Sequence, residues 1–248
     1  MQKMDKLTND SRNIDLSEEA VIKSDKDLAT IQSLNDLAKK TGNILVLHGG
    51  YATEAHCGGQ ITRAHGDMDA HLILTGDTPI NKLSTEIQEL VSKEETDWIL
   101  RSEKPDKMEY VENDDDKDFF NKRRLEVGLH EPHERNINYP KKTIVDSKGN
   151  NIEVHVVDLT ELIANKIYKL YEAKDGVNKD TDRHTSKTDL IDLKRLLETK
   201  ECDKSLIVEF LTTWITTVDK ISNKEGKEKA TDMYDFALNT IRKFSSQE

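Results

Sequence analysis

The sequence predicts an α/β (α+β) chain in which a strand-rich α/β portion is followed by an all-helical portion, with the change near Asp158. Two observations carry this. Between residues 43 and 158, short apolar or alternating runs recur, several of them closed by Gly, Pro or Asn. From "LTELIANKIYKLYEAK" onward the apolar residues recur at helical spacing instead. The chain has 248 residues, 35% hydrophobic and 34% charged in mixed sign, enough for a buried core under solvated helix faces.

In order, the polar and aperiodic "MQKMDKLTNDSRNIDLSEEA" predicts a flexible N-terminal arm over residues 1–20. It has no apolar run for a signal peptide, and no stretch reaches the roughly 18 apolar residues of a membrane span. A cytoplasmic protein is therefore expected. In "DKDLATIQSLNDLAKKTG", Leu28, Ile31, Leu34 and Leu37 share one helical face and Gly42 supplies the stop. "NILVLHGG" reads as a buried strand entering a tight turn, and "YATEAHCGG" as a short helix closed by Gly58 and Gly59. "DMDAHLILTG" is a second strand, "TPINKLSTEIQELVSK" an amphipathic helix begun at Pro79, and "TDWILRS" a third strand. Residues 104–122, including "ENDDDKD", are charged enough to read as a solvent loop. "RRLEVGLHEP" alternates as a strand, and "KTIVDSKGNNIEVHVVDL" reads as a β-hairpin around Ser147–Asn150. Three further helices follow "LTELIANKIYKLYEAK". The predicted division is an arm at 1–20, an α/β core at 21–158 and a helical C-terminal domain at 159–248.

The formal net charge is −11, which argues against a dedicated nucleic-acid face, since phosphate binding wants clustered Lys and Arg. A cationic small substrate suits that field better, with solubility as the other explanation. Cys57 and Cys202 lie far apart in no metal or disulfide pattern.

Chemistry concentrates in "HGGYATEAHCGGQITRAHGDMDAHLIL". On a strand, Asp67 and Asp69 project to one face while Met68, Ala70 and Leu72 face the core. Two adjacent carboxylates repel unless a cation sits between them, and oxygen-only ligands with waters suit Mg²⁺. In "IEVHVV", Glu153 and His155 share a face; if that strand pairs beside Asp67, Glu153 completes a metal-binding and catalytic set with Asp67 and Asp69. Glu126, between Leu125 and Val127, is the rival third carboxylate. Gly49 and Gly50, just after a strand, let backbone amides approach a phosphate. Trp98 and Trp214 sit in apolar runs and read as core.

Taken together, Gly49-Gly50-Tyr51-Ala52, then Thr62-Arg63, His65, Asp67 and Asp69, then Gly149, Glu153 and His155, resemble the nucleotidyltransferase superfamily. The likeness is to the aminoglycoside 2″- and lincosamide-type adenylyltransferases, over residues 30 to 197, with looser agreement at Asp189 and Asp192. The family usually has Asp where this chain has Glu153, and often Pro where it has Val156. The resemblance implies a small mixed twisted sheet flanked by helices, followed by a helical portion. It implies Mg²⁺, two ions, with ATP or another NTP as co-substrate, and transfer of AMP to a hydroxyl of a small molecule such as an antibiotic. Glu153 would act as base. Gly49, Gly50, Arg63, His65 and Lys187 would contact the nucleotide, His65 also by orienting a carboxylate; Lys166 and Lys169 are further candidates for the triphosphate. Two alternatives remain: a toxin-like nucleotidyltransferase that modifies RNA or protein, and a non-catalytic nucleotide-binding or interaction module.

Overall fold

The computed structural model describes residues 17–63, 65–92, 98–113, 122–132, 139–174, 183–218 and 224–245. Most of the predicted N-terminal arm, and most of the acidic run within 112–118, lie outside the described residues. The chain divides into two compact units, Met1–Val157 and Asp158–Glu248.

The first unit is built on one mixed sheet. Its strands are β1 (Ile44–Leu47), β2 (Asp67–Ile73), β3 (Trp98–Lys104), β4 (Lys107–Glu112), β5 (Arg124–His130), β6 (Lys141–Val145) and β7 (Asn151–Val156). Their order is β3-β4-β5-β2-β1-β7-β6. The β2–β5 and β1–β7 pairs are parallel and the others antiparallel. One face is the core: Met68, Ala70 and Leu72 of β2, Leu125, Val127 and Leu129 of β5, and Met108 and Tyr110 of β4 are all buried. Helices α1 (Glu18–Lys40), α2 (Gly49–His56) and α3 (Ile80–Val91) belong to this unit, and Leu28, Ile31, Leu83 and Ile87 from two of them join the core. The other sheet face carries the charged residues.

β4 corrects the reading of 104–122 as a loop. Lys107–Glu112 alternates, with Met108, Tyr110 and Glu112 buried, and forms a hairpin with β3. Glu112 is tolerated in the core because Arg123 donates from Nε to it at 2.9 Å. Arg123 also pairs with buried Asp27 of α1, whose other carboxylate oxygen accepts from the Tyr51 hydroxyl at 2.7 Å. Burial pushes the Asp27 carboxyl up, and the Arg123 guanidinium opposes that shift.

The second unit holds helices α4 (Leu159–Lys174), α5 (Arg183–Leu197), α6 (Lys204–Val218) and α7 (Lys224–Ser245). Leu162, Ile163, Ile167, Leu193, Leu196, Ile207, Leu211, Met233 and Ala237 form its buried interior. Among the described residues no helix is long and apolar enough to cross a membrane.

Candidate active site

The site grows from the meeting of β1, α2, β2 and β5. β1 ends at Leu47 and α2 begins at Gly49, so the glycine pair forms the first turn of a helix whose amide dipoles point outward. Gly49 has φ +59°, and a Cβ there would collide with Asp69 Oδ2. A side chain at that position would therefore push the Asp69 carboxylate away from the helix start. Gly50 is constrained from the other side: a Cβ would strike His65 Nδ1 and lie 3.2 Å from Arg63 Nη2. The same pair of glycines thus brings Asp69, Arg63 and His65 against one backbone turn.

Glu54, which sequence reasoning did not single out, fixes the loop between α2 and β2. It is fully buried. Its carboxylate accepts from Thr62 N at 3.3 Å and from Thr62 Oγ1 at 3.1 Å, and pairs with His65 Nε2 at 3.1 Å. The loop that carries Arg63 and delivers Asp67 is therefore hung from the interior of α2. The His65 ring is buried, packed 4.5 Å from the Tyr51 ring, and the carboxylate it pairs with is that of Glu54, so it braces the glycine turn from beneath. The signal was a carboxylate in a short helix between Thr53 and Ala55, both buried, which can be accommodated only with a partner.

Asp67 is exposed and Asp69 half-buried on the open face of β2. In the parallel register of β2 with β5, Asp69 lies directly beside Glu126. In the antiparallel register of β5 with β4, Glu126 lies directly beside Glu109. Three acids thus form a row across three neighbouring strands, where side chains directly opposite approach within about 5 Å. Asp67, Asp69, Glu109 and Glu126 line one cleft with Arg101, Tyr110 and Arg124. A register shift between Leu100 and Ser102 breaks the β3 ladder at Arg101, which reaches Glu109 at 3.9 Å. Lys107 meets Glu126 at 2.5 Å and Glu109 at 3.0 Å, and its hydrogen bond holds the Glu109 carboxyl below the usual carboxylate range.

Glu153 does not complete this set, a correction to the sequence assignment. β7 shares the sheet but pairs with β1, not with β2. By register Glu153 stands level with Ile73, four residues along from Asp69 and two strands across. At ~3.3 Å per residue and ~4.8 Å per strand that is a separation on the order of 16 Å, far beyond two metals about 4 Å apart. Its side chain is 65% exposed and pairs with Lys141 at 3.3 Å. Glu126, the rival, stands beside Asp69 in the register of β5 with β2.

Lys187 lies on α5 in the second unit and its side chain is outside the described residues, as is that of Trp214. Trp98 is buried, as expected for core. Lys166 of α4 is buried and bridges Asp189 at 3.1 Å and Asp192 at 2.8 Å on α5, so these three residues form one charged group within the helical unit.

Among the described residues, no group of three or more His, Cys, Asp or Glu is gathered closely enough to cage a metal ion. The donor set nonetheless fits one: Asp67, Asp69 and Glu126 offer only oxygen, on adjacent strands at an open cleft, the ligand class of Mg²⁺. Lys107 presently occupies Glu126, a cation standing where the acids need one.

The sequence model of the family described as "Nucleotidyl transferase AbiEii toxin, Type IV TA system" matches residues 38–246. Among solved structures, the chain is similar to the antibiotic-resistance factor ANT(2″)-Ia in solution. It is 12% identical, covering 79% of this chain and 94% of that one, with a TM-score of 0.50. It is also similar to ANT(2″)-Ia in complex with adenylyl-2″-tobramycin, at 16% identity, 76% and 98% coverage and a TM-score of 0.47. JHP933 from Helicobacter pylori matches at 17% identity, 94% and 96% coverage and a TM-score of 0.42. At 12% identity the likeness to the solution structure is one of fold. No curated protein sequence matches the chain.

Proposed function

The chain belongs to the AbiEii nucleotidyltransferase toxin family, and from that membership we propose that it transfers a nucleoside monophosphate from a Mg²⁺-bound NTP, ATP first, to a hydroxyl of a cellular macromolecule. It is a nucleotidyltransferase of mixed α+β fold. The observation that carries the reading of its site is the register of Asp69 beside Glu126, with Asp67 on the same strand face and the Gly49–Gly50 helix start abutting Asp69.

Asp67, Asp69 and Glu126 would hold divalent metal, which when bound neutralises the triphosphate and stabilises charge on the attacking and leaving oxygens. The α2 start, with the Gly49 and Gly50 amides, receives a phosphate. Arg63, beside Gly50, adds a planar donor for phosphate oxygens. The acceptor oxygen forms its bond to the α-phosphorus as the bond from that phosphorus to the bridging oxygen breaks. Pyrophosphate leaves, and the hydroxyl proton passes to a carboxylate oxygen of Glu126. Glu54, Thr62 and His65 hold the loop so that Asp67 and Asp69 present their carboxylates without searching.

A second reading, with a cationic antibiotic as acceptor, is favoured by the acid-rich cleft of Asp67, Asp69, Glu109 and Glu126 and by the net charge of −11. The test is incubation with each α-labelled NTP and Mg²⁺ against total RNA, protein extract, and a panel of aminoglycosides and lincosamides. Label in RNA or protein is the expected result. Label only in a drug moves the second reading ahead, and label in nothing, with no NTP binding by calorimetry, removes both.

A further inference from the structure

The row Glu109–Glu126–Asp69 places three acids side by side across β4, β5 and β2. Like charges directly opposite in a sheet are unfavourable. Lys107, the first residue of β4, relieves two of them, with Nζ 2.5 Å from Glu126 and 3.0 Å from Glu109. Its side chain is 29% exposed, so it is neither locked in the core nor loose in solvent. It stands across from Gly128 of β5, where the His130 and His71 rings fill the space a side chain would take, and its ammonium reaches the two acids. A lysine is a compact point charge on a flexible stem, which can exchange one oxygen partner for another without the fork geometry an arginine must break.

We propose that Lys107 is a positioning residue that serves as the resting counter-ion of Glu126. When divalent metal enters, Glu126 is handed from the ammonium to the metal, and Lys107 stays on Glu109. This rests on the reading of Asp67, Asp69 and Glu126 as metal ligands. It predicts that Lys107 and metal compete for one carboxylate, so the lysine tunes how readily the empty site loads. Without Lys107, Arg101 still reaches Glu109 at 3.9 Å, but Glu126 loses its ammonium partner and is left to the metal.

The experiment is Mn²⁺ binding to the full chain without nucleotide, followed by the electron paramagnetic resonance signal of free Mn²⁺, with circular dichroism as a check on folding. Lys107→Gln is expected to bind Mn²⁺ at least threefold more tightly than wild type. Lys107→Arg, which keeps the charge, is expected to stay within twofold of wild type. In a Glu126→Gln background, Lys107→Gln is expected to lose most of its gain, because the contested carboxylate is gone. No gain in Lys107→Gln overturns the proposal, as does an equal gain with Glu126→Gln, which would mark a general charge effect. Should Lys107→Gln fail to fold, the same comparison is made with Lys107→Met and its Glu126→Gln double variant, with the same outcomes expected and overturning. Asp69→Asn separates the two levels. Mn²⁺ affinity unchanged by Asp69→Asn overturns the metal reading and this proposal with it. A clear loss in Asp69→Asn with no gain in Lys107→Gln overturns this proposal alone.

Discussion

Two strands of one sheet carry the same short pattern, an acid, an apolar residue and a histidine: Asp69-Ala70-His71 on β2 and Glu153-Val154-His155 on β7. Both patterns face the same side, because Val46 of β1 lies directly opposite His71 on one flank and His155 on the other. Their surroundings differ entirely. β2 is central, with β5 bringing Glu126 beside Asp69 and the α2 glycines pressing on its carboxylate. β7 is one strand from the edge, and its Glu153 faces Lys141 of the edge strand and solvent. Alternation along a strand decides which face a residue takes. Register and neighbouring strands decide whether that face is a site.

The largest effect should come from the acid on the central strand. Asp69→Asn should lower nucleotidyl transfer by at least ~10³-fold, about 4 kcal/mol in the barrier, since removal of one charge leaves the transferring phosphate poorly neutralised. Melting temperature measured in chelator should hold or rise, because one member of a repelling row is gone. A steady-state assay with thermal denaturation checks both; retained activity with a large fall in melting temperature would mean Asp69 is structural. Glu126→Gln should follow, with a loss of roughly 10²-fold, near 2.7 kcal/mol, because Asp67 and Asp69 still offer part of the ligand set. If Glu126→Gln is silent, the register argument for the β5 acid fails.

The paired histidines sharpen the comparison through pH. His71 is pushed down to about 4, first by burial and then by the charges of His130 and Lys107. Its ring stacks 3.9 Å from His48 and 4.5 Å from His130, so a proton there enters a crowded, half-buried row. Because the folded value lies below the ordinary ~6.5, the unfolded chain takes up the proton first. Stability from this group is therefore whole above about pH 6.5 and falls as pH drops toward 4. The loss is on the order of 2 kcal/mol after allowance for solvent screening. His71→Gln should flatten that part of the curve when melting temperature is followed from pH 7 to 4.5 in chelator. An unchanged acid limb would mean that other groups control it.

Local patterns were legible and pairing was not. Met68, Ala70 and Leu72 on one face of β2, the hairpin of β6 and β7, and the four C-terminal helices could all be read from periodicity. β4 was hidden by its charges, although Met108, Tyr110 and Glu112 alternate inward as any strand would. What makes Glu112 tolerable, the Arg123 side chain shared with Asp27 of α1, lies 96 residues from Asp27 in sequence and leaves no local sign. The same holds for the third carboxylate. Leu125-Glu126-Val127 and Ile152-Glu153-Val154 are equivalent as local patterns, and only the order β5-β2-β1-β7 separates them. Glu54 had a local signal, an acid amid buried helix positions, but of its partners Thr62 carries no role in the sequence and His65 reads as a nucleotide contact that orients a carboxylate.

The smallest effect should come from the acid that the family resemblance favoured. Glu153→Gln removes a charge whose side chain is 65% exposed and whose partner Lys141 is 61% exposed. Exposed pairs of this kind contribute roughly 0–1 kcal/mol, and the neutral amide keeps the volume and much of the hydrogen-bonding capacity. The backbone role of this position is also retained, since the Glu153 carbonyl accepts from Asn35 Nδ2 at 2.9 Å whatever the side chain is. Stability should therefore change by less than about 1 kcal/mol, and kcat/KM for NTP should stay within about twofold, under 0.4 kcal/mol. Measured beside Glu126→Gln in one assay, this variant isolates strand position, because the chemistry of the change is identical. A loss in Glu153→Gln equal to that in Glu126→Gln would require β7 to approach β2 during turnover, which the intervening β1 ladder opposes with its pairing from Ile44↔Ile73 to Leu47↔Ala70.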